Sequence, residues 1–403
     1  MAPLSDTAPL RRELAAALPD RPFTVELWDE TALPGTRPGP TLRVTSPKAL
    51  AHVLRAPGQL GIGRAYVSGQ LEVDDLDAVL ALLRSWQPPP LDRRAQARLA
   101  LAAARACGLT LPPRPPAAEL PPRGRRHSRE RDARAVRHHY DVSNEFFALF
   151  LDESMTYSCA LWSNGATTLE EAQRAKLELV ATKLALEPGM RVLDVGCGWG
   201  SFAVHAAQEH GAEVLGITLS EPQAAYARRR VCDLGLDDRV EIRVADYREL
   251  AEPPFDAAAS IGMVEHVGSS RIDVYAEQLA RLVRPGGRVL NHGIARLRHG
   301  EAEAGPFSER YVFPDAAPLH VSRIMFALER AGLVTEHVEE LEGDYAITLE
   351  HWARRLDEHR EEALRLAGPE RLRVWRLYLR AARNGFLSGF TSVYQVRCRR
   401  PVG

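Results

Sequence analysis

The sequence predicts an α/β protein: a parallel sheet with helices on both faces and helical insertions, preceded by a small α+β domain. Three observations carry this. From about residue 168 to 295 strand-like and helix-like runs alternate at the spacing of a parallel sheet. Inside that stretch the apolar run Val192-Leu193-Asp194-Val195 leads into glycines at 196, 198 and 200, and then into a helix-like segment, Ser201 to His210. The chain has 403 residues, more than the ~100–200 of one ordinary domain.

The elements follow in order. A leucine- and alanine-rich helix is expected from about Pro9 to Leu18. Phe23–Trp28 and Thr41–Val44 alternate like strands, separated by a Pro/Gly-rich turn. Ser46-Pro47 opens a helix with proline at its first position, and Asp74 to Trp86 reads as another. Residues 1–86 are therefore assigned to the small domain, related to membrane or dimer contact. Residues 87–125 read as a linker, with stiff clips at Pro88–Pro90, Pro112–Pro116 and Pro121-Pro122 and a helix from Ala95 to Cys107. A basic run follows: Arg123, Arg125, Arg126, Arg129, Arg131, Arg134 and Arg137, with His138 and His139. Such a run is commonly a solvated face; it also suits anionic lipid head groups.

Residues 126–403 hold the sheet. Its expected strands are Arg191–Val195, Glu213–Thr218, Val240–Ala245, Phe255–Ile261 and Arg288–His292, the last after a Pro285-Gly286-Gly287 turn. Its helices are Ser201–His210, Pro222–Leu234 and Ile272–Val283. Beyond residue 296 come a helical insertion, about Ser308 to Leu333, and a final helix and strand.

Composition narrows the classes. A net charge of −1 gives no overall pull toward nucleic acid or membrane, so any attraction is local. Five cysteines without a C-x-x-C pair argue against a disulfide framework and structural zinc, and for a reducing cytoplasm. No apolar run reaches the ~20 residues of a membrane span, and no signal-peptide pattern opens the chain. A soluble protein is expected, one that would meet lipid from one side.

Ligands of such sheets sit at the carboxyl ends of the strands. There, alternate glycines after Asp194 suit the nucleoside of S-adenosylmethionine better than the pyrophosphate of a G-x-G-x-x-G loop. Without Cβ a cofactor can lie on the backbone, and N–H groups of the turn and helix start face its polar atoms. The second strand ends in Thr218-Leu219-Ser220 with Gln223 beyond, a hydroxyl and an amide where a ribose usually finds an acid. The third offers Asp246-Tyr247 to an adenine edge and face; Asp246 could equally be a helix cap. The fourth ends near Glu265-His266: a base, the holder of a base, or a carboxylate favouring a helix start. The fifth carries His292 toward the same cleft, with a buried structural histidine as the plain alternative. Upstream, a run dense in aromatics ends in an exposed-looking Cys159; aromatics at helical spacing are usually core.

Together the segments HYDVSNEFF, MTYSCALW, VLDVGCGWG, GITLSEPQ, GMVEHVG, LNHGI, RYVFPD and GDYAITLEHW, in this order from His139 onward, resemble the cyclopropane-fatty-acyl-phospholipid synthase family, which includes the mycolic acid methyltransferases. The N-terminal part is similar, more loosely, to the extra domain of the phospholipid-acting branch. The resemblance implies a Rossmann-like S-adenosylmethionine methyltransferase sheet with helical lid insertions, an acyl-chain pocket and a bound bicarbonate ion. It implies that bicarbonate is held by Cys159, Glu265, His292, Tyr345 and the backbone of Ile294. It places S-adenosylmethionine against Tyr157, Ser158, Gly196, Gly198, Thr218, Gln223, Asp246, Tyr247 and Ile261, with Asp194, Gly200, Leu219 and Ser220 on the same loops. No metal is expected. One departure is plain: in the family's Y-L-x-x-C-x-x-x-F pattern Ala382 stands where the thiol would be, so no mechanism here can require it.

The expected reaction is methyl transfer to the cis double bond of an unsaturated acyl chain in a membrane phospholipid. It passes through a carbocation that loses a proton to bicarbonate and closes a cyclopropane. Tyr311, Phe313, Phe147 and Trp199 are candidates to face that cation. A hydride shift before proton loss would give a 10-methylene chain and call for a reductase partner. C-methylation of a soluble small molecule is the other reading kept open. A nucleic-acid substrate is not expected, for no base-flipping pocket motif is seen. The protein is expected in the cytoplasm, peripheral at the inner face of the membrane, with a homodimer left open.

Overall fold

A computed structural model describes residues 6–108, 113–121, 143–299, 305–314, 316 and 318–402. The basic run from Arg123 to His139 lies outside the described residues. The chain divides into two compact units: residues 1–121 with 305–312 and 367–384, and the remainder.

The first unit begins with α1 (Ala8–Ala17), β1 (Thr24–Glu26), β2 (Ala32–Leu33), β3 (Thr41–Val44) and α2 (Lys48–Arg55). It continues with α3 (Gln59–Val67), β4 (Leu71–Val73), α4 (Leu76–Ser85) and α5 (Arg93–Cys107). The sheet order is β2-β1-β3-β4, with only the β1–β3 pair parallel. Asp75 and Asp92 start α4 and α5 by accepting the N–H of Ala78 and Ala95, at 2.9 and 2.7 Å. Pro47 is the cap of α2 and not its first residue. Helix α5, expected within a linker, buries Ala102, Ala103 and Ala106 against Leu10, Val44 and Ala49. Helix α3 was not foreseen, because Gly58, Gly61 and Gly63 lower helix propensity; burial of Ala65, Tyr66 and Val67 outweighs that cost.

The second unit begins with α6 (Asn144–Ala148), α7 (Leu169–Leu184), β5 (Arg191–Val195), α8 (Ser201–His210), β6 (Glu213–Thr218), α9 (Glu221–Asp233) and β7 (Val240–Val244). Then come β8 (Phe255–Ile261), α10 (Ile272–Leu282) and β9 (Val283–Arg296). Helix α11 (Pro306–Tyr311) falls in the first unit. Last are α12 (Val321–Arg330), β10 (Val334–Glu340), α13 (Glu342–Glu358), α14 (Arg360–Leu387) and β11 (Thr391–Arg399). Helix α14 breaks at Gly368 (φ 74°) before Pro369, and its residues 367–384 count with the first unit.

The sheet order is β10-β11-β9-β8-β5-β6-β7. The five strands from β9 to β7 are parallel, so the predicted α/β class holds. Strands β11 and β10 extend the sheet antiparallel. One face carries a core shared with α10 and α12, around Tyr275, Leu279 and Leu328. The other packs α7, α8 and α9 through Val180, Phe202 and Ala227. The expected turn Pro285–Gly287 falls inside β9, at an irregularity where pairing jumps from Phe255–Val283 to Ala257–Arg288. Among the described residues no helix is long and apolar enough to cross a membrane.

Candidate active site

The strand order reverses between β5 and β8, and a cavity opens at the carboxyl ends there. It is lined by Gly196 and Gly198 after β5, by Thr218, Leu219 and Gln223 after β6, and by Asp246, Tyr247 and Arg248 after β7. Gly262, Met263, His266 and Val267 close it from the β8 end, with Pro314 above. Seven of the thirteen candidate cofactor residues thus meet in one cavity; Tyr157, Ser158, Asp194, Gly200, Ser220 and Ile261 do not line it.

Gly198 has φ 58°, and a Cβ there would project into open space. Gly200, φ 82°, packs instead: its Cβ would lie 3.2 Å from that of Ala227. The N–H groups of Gly196 and Cys197 both donate to the Ile217 carbonyl at 2.9 Å, so they are not free for a ligand as expected. Thr218 Oγ1 donates to Gln223 Oε1 at 2.9 Å, which fixes that buried amide. Ser220 caps α9, accepting the Gln223 N–H at 3.4 Å. Asp246 takes both roles raised for it. It caps the short turn Tyr247–Glu249 and pairs with Arg248 at 2.5 Å, while also lining the cavity.

Helix α7 holds the segment that precedes it. Gln173 Nε2 donates to the carbonyls of Thr156 and Ser158 at 3.2 and 2.9 Å, and Lys176 Nζ donates to Ser158 Oγ at 2.8 Å. Lys176 is wholly buried; burial lowers its pKa to about 8, opposed by Asp152, Cys159 and Asp194. Burial raises Asp194 to about 7, with Lys176 pulling it back. Sequence reasoning missed Lys176. Its signal was available: Lys176 and Lys183 are seven residues apart, on the helix face that also carries Val180 and Leu184.

Of the candidate anion residues, Glu265 meets the Ile294 backbone directly, and His292 and Cys159 both feel the charge of Lys176. Glu265 sits in the turn Val264–His266, buried, its Oε1 accepting the Ile294 N–H at 3.3 Å. A Cβ on Gly293 would come within 3.1 Å of Glu265 Oε2. Burial pushes this carboxyl up to about 7, and backbone N–H groups hold it back from rising further. His292 is buried in β9, and its Nδ1 lies 3.1 Å from Gln395 Nε2. Burial, with Lys176 and Lys183 nearby, keeps this ring well below the usual histidine range, hence neutral. Glu265 Oε2 and His292 Nε2 are buried and find no partner among the described residues.

Cys159 corrects an expectation: it is fully buried, not exposed. Its Sγ contacts the Ala160 and Leu341 carbonyls at 3.3 and 3.8 Å, and burial keeps the thiol protonated. Tyr345 packs against Phe386 and edge-on to Trp352, with centroids 4.7 and 6.1 Å apart. Trp352, also missed, stacks on Tyr157 at 5.1 Å and so joins a cofactor candidate to an anion candidate.

Of the aromatics proposed to face a cation, Phe147 packs on Trp199 at 5.0 Å and Phe313 on His266 at 5.3 Å. Tyr311 belongs to the first unit, where its hydroxyl meets Glu119 at 3.1 Å and its ring stacks on Phe307.

The chain is similar to several known proteins. The profile of the mycolic acid cyclopropane synthetase family matches residues 127–396. A probable fatty acid methyltransferase of Mycobacterium tuberculosis is 41% identical over 356 residues, 86% of this chain and 83% of its own. The cyclopropane-fatty-acyl-phospholipid synthase of Escherichia coli K12 is 34% identical over 372 residues, 92% of this chain and 90% of its own. Among solved structures, the mycolic acid cyclopropane synthase CmaA1, complexed with SAH and CTAB, superposes with a TM-score of 0.63 at 31% identity, covering 66% of this chain and 98% of that one.

Proposed function

Because the chain belongs to the mycolic acid cyclopropane synthetase family and is an S-adenosylmethionine-dependent methyltransferase, we propose that it methylates the cis double bond of an unsaturated acyl chain in a phospholipid and closes a cyclopropane ring there. The observation that carries the finer part of this reading is the pair of buried atoms Glu265 Oε2 and His292 Nε2, which find no partner among the described residues.

An isolated alkene is a weak nucleophile and reacts only when held in line with the sulfonium methyl in a dry site. The π pair forms a C–C bond to the methyl carbon, the C–S bond breaks, and sulfur keeps its electrons as S-adenosylhomocysteine. The neighbouring alkene carbon is left a cation. A C–H bond of the transferred methyl then breaks, its electron pair closes the third ring bond, and the proton leaves. Phe147 and Trp199, buried and packed on each other, are the aromatic rings assigned to shield the cation, and a desolvated ring face near a cation is worth ~0.5–2 kcal/mol. Cavity residues Thr218, Gln223, Asp246 and Tyr247 bind and orient the nucleoside.

The donor set fits a small anion. Glu265 near its own pKa can hold a proton on Oε2; Cys159 keeps its S–H. With the Tyr345 hydroxyl and His292, these groups would hold bicarbonate, which would supply a small oxygen base. An ionised Glu265 would repel it. The protein meets its lipid from the membrane surface.

Proton NMR of the acyl products, after incubation with S-adenosylmethionine and oleoyl phospholipid vesicles, tests the reading. A high-field cyclopropane methylene signal is expected. Olefinic methylene protons would overturn ring closure, since that product is an isomer of equal mass reached from the same cation. No lipid product, with turnover on a soluble substrate, would overturn the phospholipid assignment.

A further inference from the structure

Lys183 and Gln395, which the chemistry above leaves unused, form a chain that ends on His292. Gln395 in β11 stands directly opposite His292 in β9 and Glu339 in β10. Directly paired residues share one face of a sheet. Lys183, at the end of α7, reaches that face: its Nζ donates to Glu339 and, at 2.5 Å, to Gln395 Oε1. Gln395 and His292 are buried, and so is most of Lys183.

This chain decides where the proton of His292 sits. An ammonium has only donors, so the amide atom it meets is the oxygen. The other end of the amide is then the NH2 group, which can only donate. At 3.1 Å from Gln395 Nε2, His292 Nδ1 must therefore accept. A neutral imidazole that accepts at Nδ1 carries its hydrogen on Nε2, the buried nitrogen that has no partner among the described residues.

We infer that Lys183 and Gln395 are positioning residues that lock His292 in the Nε2–H form, so that this ring enters the site as a neutral donor to an anion and not as a base. Its one lone pair is already held by Gln395, so it cannot take the proton lost in ring closure. What the donor faces rests on the bicarbonate reading; where the proton sits does not.

The test is nitrogen NMR of protein labelled with 15N-histidine, the His292 signals being identified by their loss in His292→Gln. At pH 7.5 the wild-type ring is expected neutral with its hydrogen on Nε2. Gln395→Glu, nearly isosteric, puts a carboxylate opposite Nδ1 and should move the hydrogen there or make the ring a cation, raising its pKa. Lys183→Met frees the amide to turn and should mix the two forms. In both variants kcat should fall by roughly 10-fold or more, as when an orienting partner of a histidine is lost, with the KM for S-adenosylmethionine and the circular dichroism melt near wild type. A wild-type ring protonated on Nδ1 would overturn the inference. So would variants that keep both the Nε2–H spectrum and the wild-type histidine pKa. If the proton moves in Gln395→Glu while bicarbonate dependence stays that of the wild type, the tautomer lock stands and the anion reading falls.

Discussion

Glu265 carries a linkage that separates its role in the site from its effect on the fold. Its carboxyl titrates near 7 in the folded chain and near 4.5 in a free peptide. Between those values the folded state binds more protons than the unfolded one, so stability falls as pH rises. The stabilising contribution is full below about 4.5 and lost once pH passes about 7, a difference of roughly 3 kcal/mol for this one group. Glu265→Gln removes the ionisation. Urea unfolding at pH 5 and pH 8 should show the variant close to wild type at the lower pH and more stable at the higher one. Turnover should drop at both, because the amide cannot share a proton with a bound anion. Equal stability differences at the two pH values would mean that the carboxyl is ionised throughout.

The glycine turn between β5 and α8 shows how one element divides its work. Gly198 and Gly200 both have positive φ, so alanine at either costs ~1–2 kcal/mol of backbone strain. Only at Gly198 does the added methyl project into open space beside a cavity-lining backbone. Gly198→Ala should therefore lose S-adenosylmethionine affinity by an order of magnitude or more, read by calorimetry. Gly200→Ala should lose thermal stability more and affinity less, because its methyl meets Ala227 at 3.2 Å. Reversed effects would place the nucleoside elsewhere. This turn was legible in the sequence because strand, glycines and helix are local signals; β5, α8, β6 and β8 fall at the residues expected. Strand β10 was hidden, since Val334–Glu340 is mostly polar and exposed and reads as loop. So was the partnership of Gln395 with His292, which depends on register across β9 and β11 and on no pattern within either. Lys176 was readable only as a charge out of character with its helix face, and Trp352, on an apolar face, read as ordinary core.

For the whole molecule, the proposed action on membrane phospholipid asks how a chain with a net charge of −1 would find a lipid surface. Global charge supplies no steering, and among the described residues no helix is suited to span a bilayer. Electrostatic attraction would then come from a local excess of cations, and the sequence concentrates one at Arg123, Arg125, Arg126, Arg129, Arg131, Arg134 and Arg137. Each cation near an anionic surface contributes ~1 kcal/mol, and the effect fades within a Debye length of ~8 Å at physiological salt. Replacing Arg125, Arg126 and Arg129 by glutamine should thus weaken binding to vesicles rich in anionic lipid by about 3 kcal/mol, or roughly 100-fold. Binding of the wild type should fall steeply with added salt, and that of the variant, which keeps Arg123, Arg131, Arg134 and Arg137, less steeply. Turnover on vesicles should drop with binding, while turnover on detergent-dispersed lipid should hold, because the catalytic groups are untouched. An equal loss on both forms of substrate would make the arginines part of the fold, and the lipid would have to be met through apolar contact alone.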